Sequence, residues 1–541
     1  MVSSPRFLDC TFRDGGYYND WDFSPEVVAS YLQACSESGV SVLEMGFRFM
    51  AQGRFFGAHA YTTDDFLSSL PLPRGVGIAV MVNAKGMLAH AGGPAAAVDR
   101  LFSPRKKSPV ALVRVAAHFA EAQSSRPIAA RLKELGYDVA LNLMQAAGKP
   151  EVELTRLATD AASWGCVDVL YFADSLGNMD DVGVRRTVAA LRRGWPGPIG
   201  IHAHNNMGQG LLNSMVAVES GASWVDGTIT GMGRGAGNPA TELLLLEFSR
   251  RGWGQFSPEQ IFHLAIGPFE ALRKEHNWGP SLLYHLSATY GVHPTYVQEM
   301  LGKGNYNAHH IIGALEFLRE SGASAYSDYR LQEALMGHAG AGGSDGAWSA
   351  HGWAGGRSML LVASGPQTKN HLAALCRYIE RCNPVVVCLN TNPGFPADKV
   401  TAYVACNKTS LLMDSDRYQS LCRPLIAPLS AVPDVIRSKL KGVQVLDFGM
   451  GVEPNAFSIK SNGCLLPVPL VAAYALALAE ASGAAKVLLA GFDGYTPSDP
   501  RYQEMSQMLK RYQSRPQSVP LIAVTPTTYE VAQDSIYSPN L

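Results

Sequence analysis

The stretch "PIGIHAHNNMGQGLLNSMVAVESGASWVDGTIT", residues 198–230, holds one complete turn of an alternating architecture. An apolar run (198–202) leads into a polar, glycine-bearing segment. A stretch whose apolar positions fit a packed helix follows, and then a second β-rich run (223–230). Residues i and i+2 of a strand face the same side, so His202 and His204 point together. A single strand histidine is ordinarily a hydrogen-bonded packing residue. A same-face pair followed by Asn205 and Asn206 reads instead as a candidate site for a divalent cation.

The same alternation extends back to the start of the chain. Runs at 7–12, 40–47, 76–82, 111–118, 138–144 and 168–174 join those at 198–204 and 223–230, with helical segments such as "SPEVVASYLQACSESG" between them. Eight β/α units over some 240 residues predict a closed (β/α)8 TIM barrel, whose usual size is about 250 residues. A doubly wound open sheet is the alternative, and the count of eight favours closure. Barrel enzymes carry their sites at the carboxyl ends of the strands. Those ends bring Arg13 and Asp14, Glu44 and Arg48, Asn83, His118, Asn142, Asp174 and Ser175, His202 and His204, and the loop "GMGRGAGNPATE" with Asn238 to one mouth.

The chain has 541 residues, 47% hydrophobic and 17% charged, enough for more than one core. Its net charge of −1 offers no field for nucleic acid or an anionic membrane. Nine scattered cysteines, none in a CxxC pair, argue for reduced thiols and a cytoplasmic setting. No apolar run is long enough to span a bilayer, and "MVSSPRFLDC" lacks a signal-peptide core. Partners are therefore expected to be small molecules and, through self-association, further copies of the chain in a homo-oligomer.

"DCTFRDGG" at the first strand, "HAHNN" at the seventh and "GMGRGAGN" after the eighth resemble the three signatures of the DRE-TIM metallolyase (HMGL-like) superfamily, over about residues 5–335. The "GAGN" of 235–238 is closest to the 4-hydroxy-2-oxoacid (pyruvate) aldolase branch. The resemblance implies a divalent metal, Mn2+ or Mg2+ with Zn2+ or Co2+ as alternatives, held by Asp14, His202 and His204 with Asn238 completing the shell. It also implies that Arg13 holds the substrate's enolate oxygen and that a tyrosine of the helical extension, here Tyr290, lies at the site. Glu44, Arg48, Asn142 and Asp174 are expected to contact substrate.

The residues support that chemistry independently. Breaking a C–C bond beside a ketone needs a stabilised enolate, and a 2-oxo acid chelates a hard cation through its carboxylate and ketone oxygens. One carboxylate and two imidazoles leave positions open for that chelation, and a guanidinium adds fixed positive charge. Position 17 departs from the pattern. The aldolases carry a histidine base three residues after the motif aspartate, whereas this chain carries Tyr17. A phenol of pKa near 10 is a poor base at neutral pH, so either Tyr17 is activated or His118 takes the proton.

The Gly/Ala/Ser-rich run 338–357 reads as a linker, dividing the chain into a barrel (1–260), a helical extension of the barrel (261–337) and an α/β domain (358–541). In the last, "SMLLVASGPQTKNHLAALCRYIERCNPVVVCLN" reads strand, turn, helix, strand, and later runs continue a Rossmann-like open parallel sheet. Gly365 and Lys369 in the turn, and Asp493 in "GFDGY", are candidate contacts for a nucleotide or nucleotide sugar. A purely structural βα turn is the alternative. The expected function is a metal-dependent aldolase or lyase that makes or cleaves a C–C bond between a 2-oxo acid and an aldehyde through a metal-stabilised pyruvate-type enolate. A Claisen-type synthase using an acyl-CoA is the rival within enzymes, and a non-catalytic binding protein, hinted at by Tyr17, the rival outside them.

Overall fold

Eight parallel strands close into a barrel: β1 (Arg6–Asp9), β2 (Val42–Phe47), β3 (Gly77–Asn83), β4 (Leu112–His118), β5 (Asp138–Met144), β6 (Val169–Ala173), β7 (Ile199–His202) and β8 (Trp224–Gly227). Closure is made where β1 pairs with β8, Phe7 opposite Val225 and Leu8 opposite Asp226. The computed structural model describes residues 4–50, 54–303, 306, 308–328, 330–331, 334, 345–432, 434–453, 456–496 and 499–538. They divide into one unit of Met1–Gln298 with Gly322–Ala325 and a second of Glu299–Ser321 with Tyr326–Leu541.

Strand alternation sorts the barrel's side chains. Outward residues such as Phe7, Leu43, Val113, Leu141 and Val225 pack under the surrounding helices. Inward residues are apolar at the amino end, with Leu8, Val42, Ala79, Leu112 and Trp224 in one cluster. One inward position further along, the sequence places Glu44, Arg114 and Asp226, all buried. The barrel therefore carries charge directly beneath its mouth.

Two local departures from regular strand geometry shape that mouth. The first expected strand, 7–12, ends at Asp9, and Thr11–Asp14 form a single helical turn. Asp9 is the cause. Its carboxylate accepts the Thr11 N–H at 2.9 Å and the hydroxyls of Thr11, Tyr31 and Thr241 at 2.5–2.6 Å, tying the turn inward. The second departure is a register shift in β2 between Glu44 and Phe47. Gly46 there has φ of +145°, and a Cβ on it would lie 1.9 Å from the His59 carbonyl oxygen, so only glycine fits the bulge.

His59 closes the outer side of that bulge. Its ring packs against Phe12, Phe23 and Phe66, and its Nδ1–H donates to the Met45 carbonyl at 2.6 Å. Burial pushes its pKa down to about 4. A folded histidine that stays neutral while the unfolded one protonates near 6.5 removes stability as pH falls from 6.5 towards 4, by about 3 kcal/mol in full. His59→Gln is expected to lower Tm at pH 7 yet to lose markedly less Tm than the parent on acidification to pH 4.5. Parallel acid limbs in the two proteins would refute this account.

The second unit is built on an eight-stranded parallel sheet. Its strands are β9 (Met359–Val362), β10 (Val385–Leu389), β11 (Ala402–Val404), β12 (Leu425–Ala427), β13 (Val445–Asp447), β17 (Val487–Ala490), β18 (Leu521–Ala523) and β19 (Ala532–Gln533). Their order is β13-β12-β11-β10-β9-β17-β18-β19. Separate apolar clusters cover the two faces, one centred on the helix Val471–Ala481, buried from Ala472 to Ala479, and the other on the helix Leu372–Cys382. This is the open, doubly wound arrangement expected for the region. A small sheet of β14 (Gly449–Val452), β15 (Ser458–Lys460) and β16 (Gly463–Leu466) was not foreseen, because strands this short and glycine-bearing show no alternation. Of the 338–357 run, 338–344 lies outside the described residues. Residues 345–357 are packed in this unit: Ala350 and Ala354 are fully buried, and the Trp348 N–H donates to the Asp447 carbonyl.

Candidate active site

Asp14, at the end of the helical turn after β1, and His202, the last residue of β7, meet with His204 two residues further on. All three are buried, and Asp14 Oδ2 lies 3.3 Å from His202 Nε2 and 3.4 Å from His204 Nε2. The outer nitrogens set the orientation of the rings. His202 Nδ1 bonds to Asp226 Oδ2 at 2.8 Å, and His204 Nδ1 to the Asp174 backbone carbonyl at 3.0 Å. With the Nδ1–H donating, each Nε2 presents a lone pair to the Asp14 side.

The loop after β8 supplies a fourth group. Asn238 Nδ2 donates to the Ala203 carbonyl at 2.9 Å, which turns its Oδ1 towards Gly233. A Cβ on Gly233 would lie 2.0 Å from Asn238 Oδ1 and 3.4 Å from Asp14 Oδ2. Asp14 Oδ2, His204 Nε2 and Asn238 Oδ1 are all buried without a hydrogen-bond partner. Two oxygens and one imidazole nitrogen left over by the protein's own bonding, together with His202 Nε2, which has only a long 3.4 Å contact from Asn238 Nδ2, are a donor set that fits a divalent cation. A second triplet, Cys10, His202 and Asp226, also converges. Burial pushes the Cys10 thiol well up, and Asp226 Oδ2 is taken by Arg114 and His202, so the Asp14 side is the set with atoms left free for an ion.

Beneath the ligands runs a chain of buried ion pairs. Arg13 NH1 sits 2.9 Å from Asp14 Oδ1 and its Nε 2.8 Å from Glu44 Oε2. The same Glu44 oxygen is 3.1 Å from Arg114 NH1, and Arg114 NH2 is 2.6 Å from Asp226 Oδ2. Burial raises the Asp14 carboxyl, but the Arg13 charge and the two imidazoles outweigh it and hold Asp14 well below its usual range. Burial likewise opposes ionisation of Asp226, and Arg114 outweighs it. Desolvation pushes both histidines down. Asp14 and Asp226 together raise His202 in spite of it, whereas His204, facing Asp14 alone, stays lowered. Two guanidinium and three carboxylate groups leave the cluster with one negative charge in excess, which again suits a cation.

Arg13 NH2, Asn142 Oδ1 and Arg234 Nε are further buried polar atoms without partners, and all three residues line a cavity of about 40 Å3 over these groups. Tyr17 and Arg234 stand at its rim, the Arg234 guanidinium 5.4 Å from the centre of the Tyr17 ring. Tyr17 is 36% exposed, and desolvation raises its phenol pKa despite Arg234 and Arg13. The protein's own charges do not lower it below its ordinary value.

The remaining expected residues divide. Glu44 lies beneath the site, bonded to Arg13 and Arg114, and is not on the cavity wall. Arg48 is turned away, bonded to the Thr62 and Leu101 carbonyls and to Asp64. The Asp174 carboxylate accepts the N–H groups of Asn178 and Met179, and it is the neighbouring Ser175 that lines the cavity. His118 ends β4 half-buried, but Ala116 takes that strand's place on the wall. Tyr290 caps the helix Leu282–Thr289 and does not line the cavity. Sequence reading missed Arg114, Asp226 and Arg234. The first two carried a signal: each is an ionisable residue at an inward position of an otherwise apolar strand.

Comparison with known proteins places this geometry. The HMGL-like family profile matches residues 4–259. A 4-hydroxy-2-oxovalerate aldolase of Pelotomaculum thermopropionicum is 32% identical over 257 residues, which is 47% of this chain and 73% of that protein. That of Carboxydothermus hydrogenoformans is 31% identical over 255 residues, again 47% and 73%. Among solved structures, the N-terminal domain of a candidate aldolase from Bacteroides vulgatus aligns at 29% identity and a TM-score of 0.51, covering 55% of this chain and 96% of that one.

Proposed function

The chain belongs to the HMGL-like family, as a carbon–carbon lyase, and from that premise we propose that its barrel is a divalent-metal-dependent aldolase acting on a 4-hydroxy-2-oxo acid. One observation carries the reading. The unpartnered donor atoms of Asp14, His204 and Asn238 converge, with His202, beside the unpartnered NH2 of Arg13 at the carboxyl end of a closed barrel. A divalent ion held by those four residues would supply Lewis acidity at the ketone oxygen of a 2-oxo acid.

The chain's own groups do the rest. Arg13, fixed by Asp14 and Glu44, keeps one N–H pair free to donate to the oxygen on which negative charge gathers as the bond beside the ketone breaks. Asn142 Oδ1 accepts from a substrate hydroxyl. Tyr17 holds its proton because its pKa is raised, so it acts as a donor at the rim and the base lies elsewhere. The cavity over the donor set is small, about 40 Å3, with Tyr17 and Arg234 among its lining residues. The nine free cysteines fit a cytoplasmic setting, and among the described residues no helix is long and apolar enough to cross a membrane.

Exchange of the methyl hydrogens of pyruvate for deuterium isolates enolate formation from aldehyde chemistry. The protein loaded with Mn2+ or Mg2+ is expected to exchange them, and the metal-stripped protein is not. His202→Ala is expected to retain no stoichiometric metal by elemental analysis. Tyr17→Phe is expected to keep the exchange within severalfold of the parent. Exchange abolished by Tyr17→Phe would make the phenol the base after all. No exchange by the metal-loaded parent would remove pyruvate as the donor, and thiol release from acetyl-CoA would then mark the synthase chemistry.

A further inference from the structure

The second unit carries a cavity of its own, at a place its topology dictates. From β9 the chain winds outward through β10 to β13 on one side, then returns to wind through β17 to β19 on the other. At such a reversal the loops leaving the two central strands part to opposite faces and open a crevice at the carboxyl ends. A cavity of about 350 Å3 fills it, bounded by Gly365 after β9, Asn390 after β10, and Phe492, Asp493 and Tyr495 after β17, with Tyr529 opposite. This volume is at the small end of small-molecule sites, roughly 300–1,000 Å3.

Its chemistry is not that of a phosphate cradle. No lysine or arginine lines it, and Lys369 of the "SGPQTKN" turn is exposed and outside the wall. The Gln367 N–H, which an anion at that turn would use, already donates to Asp493 Oδ2 at 2.9 Å. Gly365 is glycine for a packing reason, since a Cβ there would lie 2.3 Å from the Gly491 carbonyl oxygen. What remains unused is a pair of acceptors. Asp493 Oδ1 and Asn390 Oδ1 are both buried without a hydrogen-bond partner, and both residues line the cavity. Acceptors without donors, beside the rings of Phe492, Tyr495 and Tyr529, call for a ligand with adjacent hydroxyls and an apolar ring face.

We propose that this cavity binds the vicinal diol of a ribose or hexose ring, with Asp493 Oδ1 and Asn390 Oδ1 accepting from its hydroxyls and any phosphate left outside. The inference is independent of the barrel's activity, and it narrows the nucleotide or nucleotide-sugar expectation for this unit to its hydroxylated ring. Calorimetric titration of the full chain with the four ribonucleosides, their 2′,3′-dideoxy counterparts and free hexoses at millimolar concentration tests it. At least one diol-bearing probe is expected to bind, and Asp493→Asn and Asn390→Gly are each expected to weaken it tenfold or more. The asparagine retains an acceptor for the Gln367 N–H. The glycine retains the positive φ of Asn390, 52°. Circular dichroism and the thermal unfolding transition of the full chain serve as the folding control for both. A ribonucleoside that binds where its dideoxy form does not assigns the diol to ribose, and binding by hexoses alone assigns it to a sugar. Failure of every diol to bind, or binding unchanged by both substitutions, overturns the proposal.

Discussion

Arg114→Met is expected to cost the barrel about 3–5 kcal/mol, more than any other single change at the site. Arg114 is fully buried and is the cation shared by Glu44 and Asp226. Removing it leaves Glu44 to Arg13 alone and Asp226 to His202 alone, three carboxylates against one guanidinium, and an uncompensated buried charge is among the most destabilising lesions known. Methionine fills similar volume, so the loss reports charge and not a cavity. Thermal unfolding is expected to show a Tm lower by roughly ten degrees, at about 2–4 °C per kcal/mol for a unit of this size. Adding Asp226→Asn to Arg114→Met is expected to recover part of that loss, since one stranded charge is then gone. Strict additivity of the two changes would show that the ion-pair chain is not a unit.

Arg13→Ala is expected to lower the pyruvate exchange rate by about 10²–10³ while leaving bound metal stoichiometric. That size is typical of removing one donor aimed at developing negative charge. Asp14 keeps its imidazole contacts in the variant, but its pKa rises when the neighbouring guanidinium is lost. Metal retention is therefore expected to become more sensitive to acid, with the loss beginning at a higher pH than in the parent. A variant that exchanges pyruvate at the parental rate would leave Arg13 a structural residue only. Arg13→Lys separates charge from geometry: lysine keeps the charge but cannot span Asp14 and Glu44 as the guanidinium does.

Much of this was legible in the chain. The barrel followed from eight β-rich runs, and all eight are strands of it, because parallel strands buried on both faces must be apolar and β-branched whatever surrounds them. The convergence of Asp14, His202, His204 and Asn238 followed from their positions after β1, β7 and β8, since strand ends in a closed barrel share one mouth. What sequence could not supply was the partner of each polar group. Arg48 and Asp174 look like mouth residues by position, yet Arg48 is satisfied by Thr62, Leu101 and Asp64, and Asp174 by the turn that follows it. Arg114 and Asp226 sit inside strands, where an isolated charge reads as an interruption until its counter-ion is known. In the second unit the turn after β9 reads as an anion site, and only the structure shows Asp493 already occupying its N–H.

The pairing of β1 with β8 has a consequence for how the molecule comes into being. Phe7 meets Val225, 218 residues away, and the ligand set takes Asp14 from one end of that span and Asn238 from the other. Closing so long a loop is costly before any native contact rewards it, so barrel closure belongs to the late, slow events of folding. A ribosome-bound chain that has emerged only as far as β7 can hold Asp14, His202 and His204 but lacks both the closing strand and Asn238. The four groups proposed to hold the metal are therefore complete only once the eighth strand has docked, and an ion bound there would tie the first and last parts of the barrel to each other.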